Sequence, residues 1–192
     1  MGWHNTFHSV KQLLALGVDQ LIGWGTAAGL SPAVAAGDLI IPDAVIISEY
    51  KYSTHHEFNN EILKHIAPGL RWHKGLIYGA EEILDSVESK QEIFAKTRCI
   101  GADMESGALA QTATENNVPF TVIRAVSDPV YQSIPKSVEL GMTEDGGFNT
   151  KKFIRAMSSR PHDWLPTVKL ARNFKKARKT LNIVAKVIKD QT

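Results

Sequence analysis

The stretch that decides the fold runs from Cys99 to Asp128. It opens as Cys99-Ile-Gly-Ala-Asp-Met-Glu105 and closes as Phe120-Thr-Val-Ile-Arg-Ala-Val-Ser-Asp128. Between the two lies a small-residue segment, about Ser106 to Asn116, that reads as a helix. The flanking apolar runs are short and read as buried strands. The order is strand, helix, strand, with carboxylates after each strand: Asp103 and Glu105 first, Asp128 second. Ligands of an open parallel sheet sit outside the carboxyl ends of its strands. This reading therefore aims Glu105 and Asp128 at one crevice.

Working outward, the alternation continues. Asn5 to Leu16 reads as a helix, with Phe7, Val10, Leu13 and Leu14 on one face and Gly17 as its stop. Val18 to Trp24 reads as a buried strand. It leads into Gly25-Thr26-Ala-Ala-Gly29-Leu30, read as a small-residue turn whose amides can approach a ligand closely. The plainer alternative is a tight connection that serves packing only. Leu39 to Ile41, Ala44 to Tyr50 and Lys74 to Tyr78 read as strands. Glu61 to Ile66 reads as a short helix, as does a segment capped by Ser89 and running to Lys96. Tyr131 to Asn149 reads as loop and Lys151 to Met157 as a short helix. Leu165 to Asp190 reads as one long helix, in which Val168, Ala171, Phe174, Ala177, Leu181, Val184 and Ile188 recur at spacings of three and four. Lys169, Arg172, Lys175, Lys176 and Lys179 lie off that stripe. The whole predicts an α/β fold: one domain over residues 1–192, a three-layer α/β/α sandwich around a mixed, mostly parallel sheet.

Composition narrows the function. With 43% hydrophobic and 22% charged residues the chain has a globular profile. No run approaches the ~18 apolar residues of a membrane span. The single cysteine, Cys99, cannot form an intramolecular disulfide, which favours a cytoplasmic setting. Charge is unevenly spread: residues 1–150 carry 10 Lys and Arg against 18 Asp and Glu, and residues 151–192 carry 12 against 2. The basic residues do not interleave with aromatics as a nucleic-acid groove requires, so no nucleic-acid partner is expected. There is no serine elbow, no Walker loop and no Cys-x-x-Cys pair. His55-His56-Glu57 is the one histidine cluster. Adjacent histidines cannot share a helix or strand face, and no metal site is expected there.

The acids have two readings each. Glu105 either supports the start of the helix, where the dipole favours an anion, or accepts hydrogen bonds from vicinal hydroxyls. Asp128 either forms a turn before Pro129 or acts as a general acid whose proton is retained by partial burial. Met104, between the acids, either fills a gap or gives a sugar ring an apolar floor.

Four segments carry a resemblance to a known family. Gly23-Trp-Gly-Thr-Ala-Ala-Gly-Leu30, Gly37-Asp-Leu-Ile-Ile-Pro-Asp43, Ala102-Asp-Met-Glu-Ser-Gly-Ala108 and Val118-Pro-Phe-Thr-Val-Ile-Arg-Ala-Val-Ser-Asp128 resemble, in the same order, the nucleoside phosphorylase superfamily. That superfamily includes the methylthioadenosine/S-adenosylhomocysteine nucleosidases. Ser127-Asp128-Pro129, Ile134-Pro135, Asp145-Gly146 and Arg160-Pro161 before a basic helix are similar to its hopanoid-associated branch, the adenosylhopane nucleosidases. The resemblance implies cleavage of the N-glycosidic bond of an adenosyl nucleoside or nucleoside-lipid, without a cofactor; phosphate would be a co-substrate only in a phosphorylase. It implies that Asp128 serves purine N7, Glu105 holds the ribose hydroxyls, Met104 packs on the ribose, Thr26 faces the ribosyl carbon or the nucleophile, Gly25 beside it binds substrate, Ser127 orients Asp128, and the Glu82-Ile83 loop borders the base. It also implies a homodimer. Peripheral membrane contact through the basic helix, at the inner face of the membrane, is a further expectation.

The family begins with further strands, and its nucleosidases draw a water-activating glutamate from that region. No residue here matches that glutamate. The comparison thus implies an N-terminally truncated chain, with an open sheet edge, one open wall to the crevice, reduced stability and little activity.

Overall fold

The computed structural model describes residues 2–66, 68–143 and 147–189. Helix α1 (Trp3–Ala15) leads into strand β1 (Leu21–Gly29), followed by β2 (Leu39–Ile40), β3 (Ala44–Ile47) and β4 (Tyr50–Ser53). Next come α2 (His56–Lys64), β5 (Trp72–His73), β6 (Leu76–Gly79), α3 (Val87–Thr97) and β7 (Gly101–Asp103). Then α4 (Ser106–Glu115), β8 (Phe120–Asp128), α5 (Lys136–Gly141), α6 (Thr150–Ser159) and, after a 3-10 turn, α7 (Trp164–Lys189).

The eight strands form one mixed sheet in the order β4-β3-β6-β7-β1-β8-β2-β5. Four pairings are parallel and three antiparallel. Alternation along the strands separates two cores, as period-two geometry requires. Phe120 and Val122 of β8 join Val45, Ile77 and the α1 and α4 residues Val10, Leu109, Ala110 and Ala113 on one face. Ile123 and Ala125 join Ile62 of α2 and Ala177, Leu181 and Val184 of α7 on the other. Ile93 and Phe94 of α3 cover the same face over Cys99 and Ala102. The sandwich predicted from the alternation of elements is the fold observed.

Several local expectations are corrected. Residues 25–29 are not a turn: β1 continues through them, paired with β8 from Leu21 to Ala28, with a register shift between Ala27 and Ala28. Its other edge pairs with β7 only at Ala28 and Gly29, so that edge is open over Leu21–Ala27 among the described residues. Ile22 and Trp24 are correspondingly exposed. The strand expected over Ala44 to Tyr50 is two, β3 and β4, and residues 56–60, given no element from sequence, begin α2. Ser86, not Ser89, caps α3: its hydroxyl oxygen accepts from the Ser89 amide at 3.0 Å. The loop expected after Tyr131 contains α5.

The apolar stripe of the long helix is real only in its second half. Ala177, Leu181 and Val184 are buried, whereas Val168 and Phe174 are about half exposed. α7 packs on β8, β1 and β2 and also touches the 3-10 turn. Asp190, Asp145 and Gly146 lie outside the described residues.

Candidate active site

The two acid-bearing strands converge, but not because they are parallel. Both pair with β1: β8 runs parallel to it and β7 antiparallel. They meet because β7 touches only the last two residues of β1. Ala28 is flanked by Ala102 on one side and Asp128 on the other. The β-bulge at Ala27 and Ala28 sits at this junction, where such irregularities re-aim side chains. Gly79 at the end of β6 lets α4 start close by, because a Cβ there would lie 2.7 Å from the Gly107 Cα.

The result is a cavity of about 600 Å³ at the ends of β1, β6, β7 and β8. Thr26, Ile83, Met104, Glu105, Ser127 and Asp128 all line it. Gly25 does not. It sits one residue deeper in β1, where a Cβ would lie 2.3 Å from Arg124 Nη1. Glycine at that position makes room for the guanidinium.

Asp103, Glu105 and Asp128 are three different carboxylates. Asp103 is buried and saturated. It receives Arg124 Nε at 3.0 Å and Nη2 at 3.1 Å, the Glu105 and Ser106 amides at 2.8 and 2.6 Å, and the Ser106 hydroxyl at 2.6 Å. It thereby caps α4, a job expected of Glu105 on the plainer reading. Among the described residues Glu105 is left with one long contact, 3.6 Å to Arg124 Nη2, and a quarter of its side chain is exposed. Burial pushes its carboxyl up, Arg124 pulls it down and Asp103 adds to the rise.

Asp128 is 6% exposed. Ser127 Oγ donates to its Oδ1 at 2.6 Å, and Lys90 Nζ donates to its Oδ2 at 2.6 Å. Burial drives this carboxyl upward; the Lys90 charge and the bonds from Lys90 and Ser127 pull the other way without reversing it. A carboxyl in that balance holds a proton to higher pH than an exposed one.

Lys90 was absent from the sequence reading. Ile134, Met142, Thr143, Phe148 and Phe174 also line the cavity, none of them expected there from sequence. Lys90 carries a signal in hindsight: it stands in phase with Val87, Ile93 and Phe94 on the packed face of α3. The histidine cluster lies away from the cavity at the start of α2, where the His55 amide donates to the Phe120 carbonyl at 2.7 Å. Among the described residues no group of three or more His, Cys, Asp or Glu is placed to hold a metal ion. No helix among them is long and apolar enough to cross a membrane.

Known proteins of the same kind share this architecture. The 5′-methylthioadenosine/S-adenosylhomocysteine nucleosidase of Staphylococcus aureus strain JH9 is 29% identical over 129 residues, 57% of this chain and 57% of that protein. The chain thus matches little more than half the length of this curated relative. The Helicobacter pylori enzyme of the same name, solved with butyl-thio-DADMe-Immucillin-A, superimposes with a TM-score of 0.67 at 16% identity, over 97% of this chain and 76% of that one. Futalosine hydrolase of Helicobacter pylori gives 0.68 at 16% identity, with the same coverage. The two solved structures establish the common fold. The family model described as Phosphorylase superfamily matches residues 1–159 of the 192, and the chain belongs to that superfamily.

Proposed function

We propose that this cavity cleaves the N-glycosidic bond of an adenine nucleoside, with water as the acceptor. The observation that carries the reading is Asp128: a buried carboxyl, braced by Ser127 and Lys90, lining one cavity with the freer Glu105. Asp128 gives its proton to purine N7 as the bond between ribosyl C1′ and the base breaks. The base then leaves as a neutral molecule rather than an anion. A water oxygen bonds to C1′, its proton goes to solvent, and Asp128 is reprotonated from solvent. Glu105 accepts from the 2′ and 3′ hydroxyls, which suits a carboxylate with unfilled acceptor sites. Met104 packs on the ribose, Thr26 faces the ribosyl carbon and Ile83 borders the base. Methylthioadenosine and S-adenosylhomocysteine, named for the Staphylococcus aureus relative, are the first substrates to try.

Phosphorolysis is the weaker reading. Its anion pocket would draw on the Gly25–Gly29 backbone and on Arg124. The first is strand rather than loop, and the second is already bonded to Asp103 by two nitrogens. Adenine release measured with and without phosphate decides between the two. Release that requires phosphate would overturn the hydrolytic reading.

The finer reading is a nucleoside carrying a hydrophobic tail, as in adenosylhopane, met at a membrane surface. It draws on the hopanoid-branch resemblance and on the rim of the cavity. Met142, Phe148 and Phe174 line the cavity and are also exposed. Trp164, Leu165 and Val168 stand exposed on α7 ahead of the basic residues Arg172, Lys175 and Lys179. Each basic residue near an anionic surface contributes ~1 kcal/mol. Replacing Lys175, Lys176, Arg178 and Lys179 by Gln should abolish binding to anionic liposomes; unchanged binding would sink this part. The reading also includes a homodimer, checked by sedimentation, with a monomer at all concentrations as the contrary result.

A further inference from the structure

Lys90 is the largest fully buried side chain among the described residues, 0% exposed. It projects from α3 among the apolar residues that cover β6 and β7. A buried ammonium is costly unless it is paired and each of its protons has an acceptor. Here both conditions hold. Nζ lies 2.6 Å from Asp128 Oδ2, 2.7 Å from the Gln132 carbonyl and 3.4 Å from the Asp128 carbonyl. Three protons meet three oxygens. Gln132 is itself held, its Oε1 accepting from Asn173 Nδ2 of α7 at 2.6 Å.

The other charges around the pair are placed elsewhere. Asp103 on β7 is bonded to Arg124 of β8, and Glu105 leans toward the same guanidinium. Glu82 lines the cavity on the β6–α3 loop, and Asp85 on the same loop uses its backbone carbonyl to hold Ile134. On α3 itself Glu92 pairs with Lys96 on the exposed side. From α5, Glu139 pairs with Lys136. α7 turns the neutral Asn173 toward Gln132. Among the described residues Lys90 is the cation bonded to Asp128. An apolar side chain of similar volume would fill the same space with no ionic desolvation, so packing alone does not account for a lysine.

We propose that Lys90 is the positioning residue of Asp128: its buried ammonium fixes the carboxyl in the cavity wall and governs when that carboxyl carries a proton. The inference rests on the reading of Asp128 as the acid that serves the base. Without the ammonium, only the Ser127 bond still opposes burial at Asp128, and its proton is held to higher pH. The acid then becomes too weak to give that proton up to a departing base at neutral pH.

The test is a carbon-13 NMR titration of the side-chain carboxyls in the full chain, with the Asp128 signal assigned by its loss in Asp128→Asn. Lys90→Met removes charge and donors. Lys90→Gln, one atom shorter, keeps an N–H donor without the charge, so it is the better tolerated variant and isolates the charge. Lys90→Arg keeps the charge. Both neutral variants should move the Asp128 midpoint up by about one pH unit or more, a tenfold change in proton affinity. Lys90→Arg should return it toward wild type. A midpoint unmoved in Lys90→Gln, or one displaced equally by Arg, would overturn the proposal and leave Lys90 a structural residue. Adenine binding, followed by calorimetry across pH in the same proteins, separates the two levels of inference. Failure of all variants and wild type to bind adenine refutes the functional reading, while the titration still judges Lys90.

Discussion

Asp103 and Asp128 are both buried, both paired with a cation, and both placed at a strand end, yet they are built for different work. Asp103 receives five hydrogen bonds from Arg124, Ser106 and the α4 amides. Every one ties β7, β8 and α4 together, and nothing is left for a ligand. Asp128 receives one bond on each carboxyl oxygen, from Ser127 and Lys90, and lines the cavity. A carboxylate has about four acceptor sites, so Asp128 keeps capacity that Asp103 has used. Position in the sequence does not tell these acids apart; the number and origin of their donors does.

The contrast is most exposed by exchanging charge for a neutral amide or a methyl. Asp128→Asn should cut adenine release by about 10²- to 10⁴-fold, the span of one general acid, while the fold survives. Release that persists in this variant would erase the distinction. Asp103→Ala should do the reverse. It strands Arg124 without its carboxylate and should lower unfolding stability in urea by roughly 3–5 kcal/mol, as expected when half of a buried pair is removed. A stable Asp103→Ala protein that has lost only activity would move Asp103 from scaffold to site. Glu105→Gln should weaken nucleoside binding about tenfold, the scale of one charged hydrogen bond, with little change in stability.

The smallest effect sharpens the comparison through pH. Burial makes folded Asp128 hold its proton more tightly than the unfolded chain does. Its contribution to stability is therefore present below the unfolded carboxyl pKa of about 3.9 and lost as pH rises through the folded value. The difference in unfolding free energy between wild type and Asp128→Asn should decline with rising pH across that window. A difference that grows would mean that the Lys90 charge outweighs burial. Catalysis should follow a bell: it rises as Glu105 loses its proton and falls as Asp128 loses its own.

How much of this was legible depends on the range of the cause. The alternation of strands and helices is local, and the sandwich follows from it. That Glu105 and Asp128 meet was also readable, but the reason was not. Strand direction is set by partners far apart in sequence, and β7 and β8 run oppositely on either side of β1. Residues 25–29 read as a turn because a glycine that clears a neighbouring guanidinium looks the same in sequence as one in a tight loop. Lys90 was overlooked because lysines on helices are usually solvated; only its phase with Ile93 and Phe94 betrays it. The stripe on α7 was half right because periodicity reports an apolar face without saying how far the partner surface extends. Phe174 leaves that stripe to line the cavity.

On the proposed function, Asp128 is the acid that releases the base to water. Its most direct test is adenine release from methylthioadenosine at enzyme in excess over substrate, with and without phosphate, for wild type and Asp128→Asn. Wild type should release adenine above the enzyme-free rate with or without phosphate, and Asp128→Asn should release it only at the enzyme-free rate. Equal release by the two proteins, or wild-type release only when phosphate is present, would contradict the proposed function.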